Sequence, residues 1–130
     1  MNIEKGIKYS FEEKVTKENC AAAFASGELD VFATPAMIAL MEKTASASVK
    51  PYLDPGFSTV GTLVNVSHVS ATPIGMTVKC ESELIEADRR RLVFSVKAYD
   101  ESGLIGEGTH ERFIIDCEKF MGKAVSKLGK

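Results

Sequence analysis

Apolar side chains fall at Ile7, Tyr9, Phe11 and Val15, one phase of a two-residue repeat, so the first element is a strand over 7–15. Thr16 suits a helix start and Gly27 a helix exit, with Ala21-Ala22-Ala23-Phe24 between them, which predicts a short helix. A second helix opens at Thr34-Pro35 and runs to about Val49, where Lys50-Pro51 stops it. Its run Ala36 to Met41 is apolar all the way round, so this helix should be largely enclosed. From Ser58 the period changes to that of strands: Ser58 to Thr72, Met76 to Glu86, Arg91 to Tyr99 and Leu104 to Ile115. Ala87-Asp88-Arg89-Arg90 and Asp100-Glu101-Ser102-Gly103 read as hairpin turns. An amphipathic helix closes the chain over 117–128. One strand, one enclosed helix and a run of meandering strands predict an α+β domain with an antiparallel sheet wrapped on a helix.

Length changes this picture little: 130 residues suit a single domain spanning 1–130. A net charge of -2, with 45% hydrophobic and 26% charged residues, gives no basic face for nucleic acid. Cys20, Cys80 and Cys117 are widely spaced, so neither a zinc site nor a disulfide framework is expected. Met1 to Gly6 lacks the apolar core of a signal peptide, and the apolar run Pro35 to Met41 is too short to span a bilayer. The expectation is a cytoplasmic protein without a membrane partner.

Three residues stand out chemically. Glu42 has Ile38, Ala39, Ala45 and Ser46 as its helical neighbours, a mostly apolar face on which a carboxylate needs a partner or a task. His68 shares its strand phase with Val66, Val64, Thr62 and Val60, and an imidazole suits proton transfer near neutral pH. Thr34, read as the cap of the second helix, sits where orphan amides and the positive end of the dipole meet, a place able to hold an oxyanion. A structural ion pair, a core histidine bonded to a carbonyl and a simple cap are the competing readings. Thr34 and Glu42 are eight positions apart, about 12 Å of helical rise, so they should not bond directly. Gly61 inside a strand marks either close approach of a ligand or a bulge. Gly106, Gly108, His110 and Arg112 share one strand phase, and Arg112 could anchor Glu42 or a ligand carboxylate. Arg89-Arg90-Arg91 could meet a nucleotide phosphate or simply be solvated. No GxGxxG, Walker A, HExxH or GxSxG pattern occurs, so no bound dinucleotide, NTP, flavin or metal is expected.

The blocks Val31-Phe32-Ala33-Thr34-Pro35-Ala36-Met37-Ile38-Ala39-Leu40-Met41-Glu42, Val60-Gly61-Thr62 with Val66-Ser67-His68, and Gly106-Glu107-Gly108-Thr109-His110-Glu111-Arg112 together resemble the fluoroacetyl-CoA thioesterase-like family. The resemblance runs from about Val15 to Ile115. It implies the hot-dog fold, with five antiparallel strands curled around the Thr34 helix, and a homodimer with active sites near the subunit interface. It implies catalysis by Thr34, Glu42 and His68, with Gly61, Arg112 and Phe24 against the substrate. CoA would be part of the substrate, with no separate cofactor.

The resemblance also implies a lid over 21–29, which in the fluoroacetate-specific member carries fluorine-selecting aromatics. Here only Phe24 among them is aromatic, beside Ala25, Ser26, Gly27 and Glu28, so general short-chain acyl-CoA hydrolysis is expected in place of fluoroacetyl selectivity. The alternatives are a non-catalytic acyl-CoA-binding hot-dog protein, an enoyl-CoA hydratase and an interaction module. A hydratase of this fold would need an Asp and a His on or near the central helix, and no such pair lies between Thr34 and Lys50. An interaction module would leave the apolar-face Glu42 and His68 without a task.

Overall fold

The computed structural model describes Met1 to Gly129. Five strands, β1 (Lys8–Lys14), β2 (Phe57–His68), β3 (Thr77–Asp88), β4 (Arg91–Asp100) and β5 (Gly103–Asp116), form one sheet in the order β1-β3-β4-β5-β2. Every neighbouring pair is antiparallel. The long helix α1 (Thr34–Val49) lies across one face, and α2 (Cys117–Val125) follows β5. This is the hot-dog arrangement expected from the sequence.

The core lies between α1 and the concave sheet face. Met37, Leu40, Met41, Ala45 and Val49 of the helix meet Val78, Cys80 and Leu84 of β3 and Leu92, Phe94, Val96 and Ala98 of β4, all of them buried. Burying this much aliphatic surface explains why α1 has apolar residues over most of its girth.

Several boundaries differ from the expectation, each for a local reason. The helix expected over 16–27 is two 3-10 turns, Lys17–Asn19 and Ala21–Phe24. Thr16 does cap the first, accepting from the Glu18 amide, but Cys20 then bridges Phe32 in extended conformation and interrupts the helix. Thr34 is the first residue of α1 and not its cap; Ala33 takes that place, with no side-chain cap bond. The strand expected over 58–72 ends at His68, and the closing helix ends at Val125 with a 3-10 turn after it.

The most consequential difference is a bulge in β2. Gly61 pairs with Arg112 and Leu63 with Glu111, leaving Thr62 as the extra residue. The alternation read from Val60 to His68 is therefore broken. Val64, Val66 and His68 pair with His110, Gly108 and Gly106 and share the helix-facing side, whereas Val60 pairs with the outward Phe113. A one-residue shift exchanges the two faces of a strand, so it is Thr59 and Gly61 that face α1 on the far side of the bulge.

Candidate active site

Thr34 begins α1 and His68 ends β2, and the fold brings them together: Thr34 Oγ1 lies 2.7 Å from His68 Nδ1. His68 Nε2 is buried and meets no protein hydrogen-bond partner among the described residues. Burial pushes the imidazole pKa below its ordinary value, against a weaker opposing pull from the Ser70 backbone. The ring is thus held neutral near physiological pH, the state in which it can accept a proton. Both residues line an open cavity of about 400 Å³ with Phe32, Val69, Ala71 and residues 26–29. Part of the segment expected to form a lid thus lines one wall of this cavity. Phe24 is 45% exposed and is not among the lining side chains; Ala21 and Leu29 are.

Two helical turns further along α1, Glu42 faces a second polar cluster on β2 and β5. Its Oε2 lies 3.9 Å from Arg112 Nη1, and its side chain is 41% exposed. Arg112 is buried and makes three polar contacts besides the one to Glu42. Its Nε donates to the Thr59 hydroxyl at 2.8 Å and its Nη2 to the Thr59 carbonyl at 2.9 Å. Nη1 contacts His110 Nε2 at 3.2 Å. His110 Nδ1 in turn lies 2.8 Å from the Leu63 carbonyl. Burial lowers the His110 pKa, with the Leu63 carbonyl opposing and the Arg112 cation adding to the effect. Burial also lowers that of Arg112, with Glu42 opposing.

Gly61 explains how the helix and β2 come so close. A Cβ built there would stand 2.9 Å from Glu42 Oε2 and 3.1 Å from His110 Cε1. Of the two sequence readings of this glycine the bulge is seen, since Gly61 borders it, and the close neighbour it admits is the Glu42 carboxylate.

Among the described residues the structure joins Thr34 to His68, and Glu42 to Gly61 and Arg112. No hydrogen bond or ion pair links these two groups within the chain. α1 passes from Thr34 to Glu42 while β2 passes from Gly61 to His68, so the two groups lie at opposite ends of the α1–β2 contact, and Glu42 is not among the residues lining the cavity at His68. Val64 sits between them on the helix-facing phase yet stays 38% exposed. Sequence reasoning gave no task to His110 or Thr59. The signal for His110 was its phase, shared with Arg112 on a strand whose other inward positions are Gly106 and Gly108. Of the arginine turn, Arg91 is taken up by Glu86 and Glu111, and Arg90 lies over the Phe57 ring. No group of three or more His, Cys, Asp or Glu side chains able to hold a metal occurs among the described residues.

Residues 15–118 match the family described as FlK, fluoroacetyl-CoA-specific thioesterase. The fluoroacetyl-CoA thioesterase of Streptantibioticus cattleyicolor is 45% identical over 98 residues, 75% of this chain and 70% of that one. The solved structure of the fluoroacetyl-CoA thioesterase FlK superposes with a TM-score of 0.91 at 34% identity, over 98% of both chains. A thioesterase-superfamily protein of Thermus thermophilus superposes with a TM-score of 0.88 at 28% identity, covering 98% of this chain and 94% of that one. With its hot-dog fold, the chain belongs to the fluoroacetyl-CoA-specific thioesterase family.

Proposed function

We propose that the protein hydrolyses a short-chain acyl-CoA to the free acid and CoA, with Thr34, Glu42 and His68 as the catalytic residues. The observation that carries this reading is the 2.7 Å contact between the Thr34 hydroxyl and the His68 ring at the wall of a mostly apolar pocket. A hydroxyl, an imidazole with a depressed pKa and a helix amino end in one place suit acyl transfer. The acyl group occupies the cavity, and the thioester carbonyl meets Thr34 and the first amides of α1, whose dipole favours the developing oxyanion. Glu42 either attacks the carbonyl carbon, giving an anhydride that water then hydrolyses, or takes a proton from the water that attacks. Either way the proton that water gives up passes through His68 to the departing thiolate, so that thioester and water become acid and thiol. Arg112 sets a cation beside the Glu42 carboxylate, and Gly61 admits that carboxylate.

The reading extends to a homodimer. β2 is an edge strand of twelve residues without one charged side chain, bordered by exposed Leu63 and Val64. Edges of this kind are normally blunted by charge, as the opposite edge β1 is by Lys8, Glu12, Glu13 and Lys14. A second copy on β2 covers the bare edge.

The test is thiol release across a panel of acyl-CoAs, beside Glu42→Gln. That variant should lose about 10²- to 10⁴-fold in turnover while keeping its far-UV spectrum and melting temperature. Turnover at the parent rate would remove Glu42 from the chemistry. Saturable acyl-CoA binding with no thiol released from any member of the panel would identify a binding protein on the same fold.

A further inference from the structure

The cluster behind Glu42 contains a histidine that the mechanism has not used. His110 is completely buried, in the middle of β5 and next to the bulge in β2. Both ring nitrogens are engaged, and the partners dictate which carries the proton. The Leu63 carbonyl can only accept, so Nδ1 donates to it. A guanidinium can only donate, so Nε2 must accept from Arg112 Nη1. The ring is thereby a neutral Nδ1–H tautomer, fixed at both ends.

The consequence falls on Arg112. Its Nε and Nη2 are tied to Thr59, and one proton of Nη1 is taken by His110. The remaining Nη1 proton faces Glu42 across 3.9 Å, outside direct hydrogen-bonding distance. Without an acceptor at the Nε2 position, Nη1 would be free to close on the carboxylate and form a tight ion pair. Such a pair would occupy an oxygen that the reaction needs.

We propose that His110 is a positioning residue for the thioesterase site: it ties Arg112 to the bulged segment of β2 and holds it at a stand-off distance from Glu42. The carboxylate then has a cation close by without being capped by it. The inference rests on Glu42 being catalytic, as proposed above. It adds the reason why a buried imidazole, a costly group to desolvate, occupies this point of the core. It also gives the bulge a function, because the Leu63 carbonyl that orients the ring belongs to the first residue paired after the extra Thr62.

Two substitutions separate the two halves of the ring. His110→Gln places an amide oxygen near the Nε2 position and preserves an acceptor for Arg112. His110→Asn places its amide near Nδ1, keeping the donor to Leu63 and deleting that acceptor. The expected result is that His110→Asn loses kcat by on the order of a hundredfold with little change in KM, since small misplacements of a reacting group have effects of that size. His110→Gln should restore most of the rate. Equal kcat values in two folded variants would overturn the proposal, whether both are high or both low.

If His110→Asn does not fold, ¹⁵N NMR of the unaltered protein decides, through the imidazole shifts of His110. A ring protonated on Nδ1 and bare on Nε2 supports the arrangement, and a proton on Nε2 overturns it. Glu42→Gln run in parallel keeps the two readings apart. Full activity there sinks the role of Glu42, whereas an inactive Glu42→Gln with matching His110 variants sinks only the role of His110.

Discussion

Single side chains here show how far environment reassigns a residue. The sequence makes Thr34 a helix cap, but its hydroxyl is committed to His68 and the capping position falls to Ala33. Sequence alone could not separate the two, because boundary residues shift by one without altering any pattern. Glu42 was legible as an anomaly, a carboxylate on an apolar helix face, and its partner Arg112 was legible from strand phase. His110 was not, because glycines at 106 and 108 leave its face without the apolar neighbours that mark a buried phase. Buried His110 and half-buried His68 make a prediction about pH. Both have pKa values pushed below the ordinary imidazole value of about 6.5. The unfolded chain therefore takes up protons first as pH falls. The stability of the neutral native rings is fully present above about pH 6.5 and declines as pH drops through the native values. Melting temperature should fall between pH 7 and pH 5, and His110→Gln should flatten that fall. For activity, the acid limb of kcat/KM should lie below pH 6.5, the position expected if neutral His68 is the working form.

At the level of elements, composition spoke clearly where one face is buried and weakly where the strand irregularity lies. α1 and the strands β3, β4 and β5 come out within a few residues of their expected limits, although β3 passes over Ile85 and β5 over Ile105 in their pairing with β4. Where one helix is expected over 16–27 there are two 3-10 turns, since a local alanine run is outweighed by the Cys20–Phe32 bridge. The bulge at Thr62 had one trace in the sequence, Gly61 inside the strand; Val60, Thr62 and Val64 alternate well on paper, and pairing with β5 is what reveals the slip. That slip lets Gly61 face the helix. Gly61→Ala should therefore act on the site before it acts on the fold. The new methyl would crowd the end of a flexible Glu42 side chain, 2.9 Å away, and the His110 ring at 3.1 Å. We expect a loss of about tenfold or more in kcat, comparable with small displacements at other active sites. The stability cost should be at most that of mild overpacking, about 1–3 kcal/mol. Thiol-release kinetics beside denaturant unfolding measure the two separately, and a large stability loss at unchanged kcat would contradict this account.

The molecule as a whole has two unequal sheet edges. β1 is short and charged, whereas β2 is long and uncharged and carries Leu63 at 50% exposure. If β2 is the seam of a homodimer, one lysine should part it. Leu63→Lys is expected to elute as a soluble monomer in size-exclusion chromatography with light scattering, with thiol release reduced in step. A Leu63→Lys protein that remains dimeric would place the partner surface elsewhere. The hot-dog architecture itself was readable from element order, because a lone enclosed helix followed by a strand meander has few other ways to bury its surface.

The unprotected β2 edge also matters before any mate has been found. A newly made chain exposes twelve residues of strand that would accept almost any extended segment, and nothing in their own chemistry turns a stranger away. Variants that weaken self-association without adding charge should thus disappear into insoluble material and not accumulate as idle single subunits. For this protein, yield at low expression and recovery after refolding from dilute solution would report on partnership as directly as any measurement of size.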